Sequence, residues 1–110
     1  MKIVRCNWFP PKGYKAIMLV WWLIVKPNVA ITSRLINHEE IHECQQKEML
    51  VLPFFLWYGF EFIFRLLQYR NWHTAYRNIS FEREAYANES KISYLANRKR
   101  FEWIHYLKLK

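Results

Sequence analysis

A chain of 110 residues is long enough for one domain with a modest core, and only two glycines and four prolines argue against disorder and against a turn-rich all-β fold. Hydrophobic residues make up 53% and aromatics 19%, more apolar surface than so small a domain easily hides, so part of it is expected to face a partner, a lipid surface or a substrate groove. The formal net charge of +8 favours anionic partners, but zinc-finger spacing, an RNP-like strand and a dense basic helix are all missing, which argues against nucleic acid.

Lys2 to Trp8 reads as a short strand closed by Pro10-Pro11 and a Lys12-Gly13 turn. Ala16 to Val25 is an unbroken apolar run, too short to span a bilayer as a helix. Lys2, Arg5, Lys12 and Lys15 precede it as in a signal peptide, but lysine and proline follow it where small residues would mark a cleavage site. A strand pairing with residues 2 to 8 is therefore expected, with no cleavable signal peptide and a place in the cytoplasm or on the inner face of a membrane. Cys6 and Cys44 fit neither a zinc ribbon nor a redox pair and read as two reduced thiols.

Thr32 or Ser33 is a good N-cap for a helix running to about Met49, with Leu35, Ile36, Ile41 and Met49 as its apolar face and Pro53 expected to break or kink it. This helix carries His38-Glu39-Glu40-Ile41-His42, which reads H-E-x-x-H. Residues four apart stand one above the other, so both imidazoles can reach one shared atom, while Glu39 flanks the place of a metal-bound water. Two neutral nitrogen ligands and a carboxylate base are what zinc-assisted hydrolysis needs. A catalytic zinc wants a third protein ligand, and no histidine stands at the short spacing that would extend the motif. All nine acidic residues are glutamate, and Glu82, Glu84 and Glu89 cluster about forty residues on, so a glutamate from a second helix, within Phe81 to Tyr86, is the natural completion.

Residues 49 to 67 begin apolar all round and then bring Glu61, Arg65 and Gln68 onto one face, Glu61 and Arg65 in the favourable ion-pair order. The charge-free part is short of a span, which predicts a buried or interface-lying helix. Glu61 is an alternative third ligand, its ordinary reading being a structural ion pair. Asn71 to Thr74 reads as a polar loop with His73 at the surface, and Ser80 as the N-cap of the next helix. On that helix Glu82, Tyr86 and Glu89 share a face and Glu84 points about 160° away from Glu82. Lys91 to Lys110 reads as one or two helices, with Tyr94, Leu95, Phe101, Trp103, Ile104 and Leu107 free to pack and His105 in a packing or surface role. The expected fold is α+β and mostly helical: a short N-terminal β-hairpin or small sheet, the H-E-x-x-H helix, and three to four further helices.

H-E-x-x-H followed by a helical E-x-x-A resembles the gluzincin metallopeptidases, closest in style to the CAAX-prenyl-protease and heat-shock membrane peptidase group and in size to the minigluzincins. The likeness implies a single minimal zincin-like domain over 1–110. It implies Glu82, three before Ala85, as the third zinc ligand beside His38 and His42, with Glu84 as competitor. Tyr86 departs from the aspartate common there. The likeness also implies a strand beside the metal helix that can take extended substrate by β-augmentation. Gly-Tyr-Lys-Ala-Ile, His-Glu-x-Ile-His and Phe-Glu-Arg-Glu-Ala-Tyr are also similar to small bacterial zinc-peptidase-like proteins, over most of the chain and without a substrate.

Two classes of function are open to such a chain. In the first, zinc on His38, His42 and Glu82 acidifies a water, Glu39 is the general base, a peptide or protein is the substrate, and Tyr76, Arg77, Tyr86 or His73 steadies the oxyanion. In the second, a metal staples two helices of a non-enzymatic, membrane-associated or oligomeric module, which has no need of a base. A membrane surface or a second copy is the expected partner for the surplus apolar surface.

Overall fold

The computed structural model describes residues 2–8, 10, 14–20 and 22–108; the expected turn at Lys12-Gly13 lies outside them. The chain opens with strands β1 (Lys2–Arg5), β2 (Ala16–Leu19) and β3 (Trp22–Val25), in the spatial order β1-β3-β2. The apolar run expected as one strand is two. Val20 takes φ 51°, and the run folds back on itself with Ala16 opposite Val25 and Leu19 opposite Trp22. Its second half then pairs in parallel with β1, Lys2 opposite Trp22 and Arg5 opposite Val25, so the expected partnership holds for four residues and stops short of Trp8. Met18, Leu23 and Val25 make a small core under this sheet with Ala16, Val29 and Ile36.

Helix α1 (Ser33–Glu48) starts as its sequence predicts, with the Thr32 hydroxyl accepting from the Leu35 N–H at 3.1 Å. Of its four expected apolar residues only Ile41 is fully buried; what α1 chiefly buries is His38, Glu39, His42, Gln45 and Gln46. So many polar groups stay inside only where bonds or charge partners compensate their lost water. Gln46 accounts for itself at the sheet, donating to the Met18 carbonyl at 2.7 Å and accepting from the Val20 N–H at 2.6 Å.

α1 stops at Met49, four residues before the proline. Leu50 and Val51 adopt φ 59° and 62°, and the chain swings through 112° into α2 (Leu52–Tyr69). Pro53 opens the new helix, in the first turn where its missing N–H costs nothing. Glu61 and Arg65 do pair, at 3.4 Å, but in the interior. The Glu61 carboxylate also accepts from the Ser80 N–H at 2.8 Å and hydroxyl at 2.6 Å, and Arg65 donates to the Lys108 carbonyl at 2.6 Å and to Gln68 at 2.9 Å. These bonds fix the rotation of α2 with its polar side inward, which leaves Leu52, Leu56, Phe60, Ile63 and Leu67 facing out. Among the described residues no single helix is long and apolar enough to cross a membrane.

Asn71 to Thr74, expected as a loop, instead starts helix α3 (Trp72–Arg77), because the Asn71 side chain caps the Thr74 N–H at 2.9 Å. Helix α4 (Ser80–Asn88) has Ile79 rather than Ser80 at its N-cap position, since Glu61 supplies the acceptor from outside. A short α5 (Tyr94–Asn97) and a 3-10 helix (Glu102–Tyr106) come last. Phe54, Ile79, Phe81 and Trp103 form the second core, joining α2, α4 and the 3-10 helix. The architecture is α+β: a three-stranded sheet, the motif helix and four further α-helices. α4 packs on α1 and carries the second glutamate cluster to the motif.

Candidate metal centre

His38 and His42 stand one turn apart on the buried side of α1, their rings 4.9 Å apart and steeply inclined at 77°. From α4, the Glu82 Oε1 reaches both, 3.3 Å from His38 Nε2 and 3.2 Å from His42 Nε2. Donor atoms about 2.0–2.2 Å from a zinc ion at tetrahedral angles lie about 3.3–3.6 Å from one another. The two Glu82 separations are close to that length, and the donor set, two imidazoles and a carboxylate oxygen, suits zinc.

The other ring nitrogens decide which tautomer each histidine takes. Gln45 donates its amide to the Phe81 carbonyl at 3.1 Å and to Glu84 at 2.9 Å, so its oxygen is the group that meets His42 Nδ1 at 2.8 Å. An oxygen there requires Nδ1 to carry a proton, so when the ring is neutral Nε2 is the nitrogen left with a lone pair for a metal. Glu89 holds His38 Nδ1 at 3.2 Å to the same effect. Tyr58, from α2, donates to Glu82 Oε2 at 2.7 Å and leaves Oε1 as the oxygen for the histidines. Partners of this kind orient the ligands of metal sites.

Without a metal His42 and Glu82 hold each other as ions. Burial by itself would lower the His42 pKa, but the Glu82 carboxylate more than reverses this and pushes it up to about 10. Burial likewise works to raise the Glu82 pKa, and the two imidazoles, His42 first, hold it well below the usual carboxylate range instead. Glu39 differs. One of its carboxylate oxygens lies with a ring nitrogen of each histidine in a group whose members are all within 4.8 Å of one another, yet the side chain takes no hydrogen bond among the described residues. Only 4% of Glu39 is exposed, and burial raises its pKa. Two carboxylates therefore flank the imidazoles. Glu82 sits 3.3 and 3.2 Å from the two Nε2 atoms, and Glu39 forms with the same histidines a group whose spacing could itself hold a metal ion.

The competitors for third ligand are elsewhere. Glu84 is fully buried behind Gln45, bound by Tyr94 at 2.7 Å and by the Arg98 guanidinium, which also forks onto Glu48. Glu61 is occupied by Ser80 and Arg65. Of the four oxyanion candidates, Tyr86 packs edge-on against the His38 ring, 4.5 Å between centroids, and shares a hydroxyl–hydroxyl bond of 3.1 Å with Tyr76. Arg77 lies flat on Tyr86 at 3.8 Å, and exposed His73 is 6.2 Å from the Tyr76 ring. Burial keeps both tyrosine hydroxyls protonated as donors. Beside α1 runs β2, as the gluzincin likeness implies, but its outward Met18 carbonyl and Val20 N–H are already taken by Gln46.

Sequence reasoning groups His38, Glu39, His42 and Glu82, and the structure brings these four together; it misses Gln45, Gln46 and Tyr58. Gln45 carried a readable signal, since it comes three residues after His42 and shares its face. Tyr58 carried none, because its approach depends on how α2 is turned. No protein-family model, no curated protein and no solved structure matches this chain significantly.

Proposed function

We propose that the chain is a zinc-dependent metallopeptidase of gluzincin type, with His38, His42 and Glu82 as ligands and Glu39 as general base. The observation that carries this reading is Glu39 itself: buried, without a hydrogen bond among the described residues, and beside both histidines. A structural metal site has no use for such a carboxylate, and burial makes its charge costly to keep. A reaction that needs a base gives it a purpose. This favours hydrolysis over the non-enzymatic staple.

Zinc at this place would acidify a water and polarise a carbonyl oxygen. The chain's own groups do the rest. Glu39 has its proton affinity raised by burial, which suits a carboxylate that must first take a proton from water and then hand it to a leaving amine. Gln45 and Glu89 hold the imidazoles in the tautomer that presents Nε2, and Tyr58 fixes Glu82 to one oxygen. The paired hydroxyls of Tyr76 and Tyr86, the latter ring packed on His38, would supply a donor for a developing oxyanion.

The test is cleavage of fluorescently labelled casein by zinc-loaded protein, with zinc content measured on the same samples. Glu39→Gln should keep its zinc and lose on the order of 100-fold or more in rate, the size of a lost general base. Undiminished cleavage by Glu39→Gln would remove the base from the mechanism, and a zinc-loaded but inert wild type would return the staple reading.

A further inference from the structure

Helix α2 is turned inside out, and its outward face is unusually uniform. Leu52, Leu56, Phe60, Ile63 and Leu67 are 66, 66, 65, 60 and 74% exposed. At 100° per residue they fall within an arc of about 80°, along about 22 Å of helix. Those five side chains present roughly 600 Å² of apolar surface, as large as the largest patch on an ordinary monomer. The stripe is no accident of a loosely held helix, because the bonds of Glu61 and Arg65 pin the opposite side inward.

The charged surface has a matching bias. None of the nine glutamates is exposed, each being buried or half-buried, whereas eleven lysines and arginines of the described residues are exposed. Lys47 stands just before the stripe in the chain and Arg70 just after it, both exposed. We propose that the outward face of α2 lies in the surface of an anionic lipid bilayer, its leucine, isoleucine and phenylalanine side chains at the headgroup–acyl boundary, with the cationic charge of the molecule attracting it to the anionic headgroups. An apolar stripe on a molecule whose exposed charges are cationic is the pattern of a helix lying in the plane of a membrane, where buried apolar area and attraction to anionic lipid add together. A second copy of the chain fits less well, since it would bring two surfaces of the same sign together with no exposed carboxylate to answer either. Nucleic acid would answer the charge but leave the aliphatic stripe in water.

This inference stands on the surface alone and is independent of the chemistry proposed above. It has one consequence for that chemistry. Tyr58, on the inner side of α2, bonds Glu82, so the hydrolytic site would lie about one helix diameter, roughly 10–12 Å, from the bilayer. The substrates would then be peptide segments held close to a membrane surface.

The test is co-sedimentation of the full chain with phosphatidylcholine vesicles, with and without phosphatidylglycerol. The expected result is binding to the anionic vesicles, weakened by salt, and much weaker binding to the neutral ones. The triple variant Leu56→Asn, Phe60→Asn, Ile63→Asn should lose on the order of 100-fold in partitioning. Ile92→Asn, which changes a fully exposed residue away from the stripe, should bind as wild type. A circular-dichroism spectrum and urea midpoint of the triple variant like those of wild type show that it has folded. A wild type that ignores anionic vesicles overturns the proposal, as does a triple variant that binds undiminished. So does a stable dimer in solution that the triple substitution dissolves, which would assign the stripe to a second copy.

Discussion

At the scale of single residues, the hydrogen bond that decides the most is the one from His42 Nδ1 to Gln45. The two acceptors on the Gln45 amide leave its oxygen no alternative orientation, and so set the tautomer of a histidine three residues earlier. Gln45→Ala is predicted to weaken zinc binding by roughly 10–100-fold, the usual cost of losing an orienting partner, measured by competition against a chelator. An unchanged affinity would mean that His42 orients without it. The pH behaviour has its origin in the same cluster. The raised His42 pKa contributes stability to the metal-free protein that is complete below about pH 6.5 and is lost as pH rises through about 10. The lowered Glu82 pKa contributes stability present above about pH 4.5 and lost as pH falls through its depressed folded value. Zinc needs His42 neutral, so its binding strengthens over the range where the metal-free pair weakens. Urea denaturation from about pH 6.5 to about pH 10 should show metal-free stability falling and the increment from zinc growing. Parallel pH profiles with and without zinc would contradict a shared site. The two histidines are legible in the sequence because helical spacing is local, whereas Glu82 is singled out from Glu84 only by the E-x-x-A register of the gluzincin likeness. Tyr58 and the capture of Glu84 by Arg98 are not, because both depend on contacts between distant elements.

At the scale of elements, the turns are the least legible part. The apolar run at 16 to 25 gives no sign of folding back on itself, because Val20 in the left-handed region obeys no turn propensity. Proline at 53 suggests a break at the wrong place for the same reason: the break lies at Leu50 and Val51, and proline merely suits the first turn of α2. Leu50 is 79% exposed and sits at φ 59°, where a branched side chain is strained and packs against little. Leu50→Gly is predicted to stabilise the protein by about 1 kcal/mol, relief of left-handed strain exceeding the extra chain entropy, as read from a urea midpoint. A lower midpoint would show that Leu50 contributes packing or that the turn is not left-handed. For α2 the periodicity is readable and the direction is open: Glu61, Arg65 and Gln68 share a face, but only the Ser80 end of α4 and the Lys108 carbonyl draw that face inward.

At the scale of the whole molecule, composition speaks clearly. A domain of this size with 53% hydrophobic residues has to leave apolar surface outside, and among the described elements α2 exposes more large hydrophobic side chains than any other. The carboxylates are withdrawn into the interior, where they cap α4, fork with Arg98 and face the histidines, and the cations remain outside. A metal on His38, His42 and Glu82 would join α1 to α4 across some forty residues of chain, so occupancy is a property of the fold as well as of the site. Metal analysis of protein purified without chelators, wild type beside Glu82→Ala and Glu39→Gln, therefore tests the central claim most directly. The account predicts about one zinc per chain in wild type and in Glu39→Gln, and little in Glu82→Ala. No zinc in the wild type, or an empty Glu39→Gln beside a full Glu82→Ala, would contradict it.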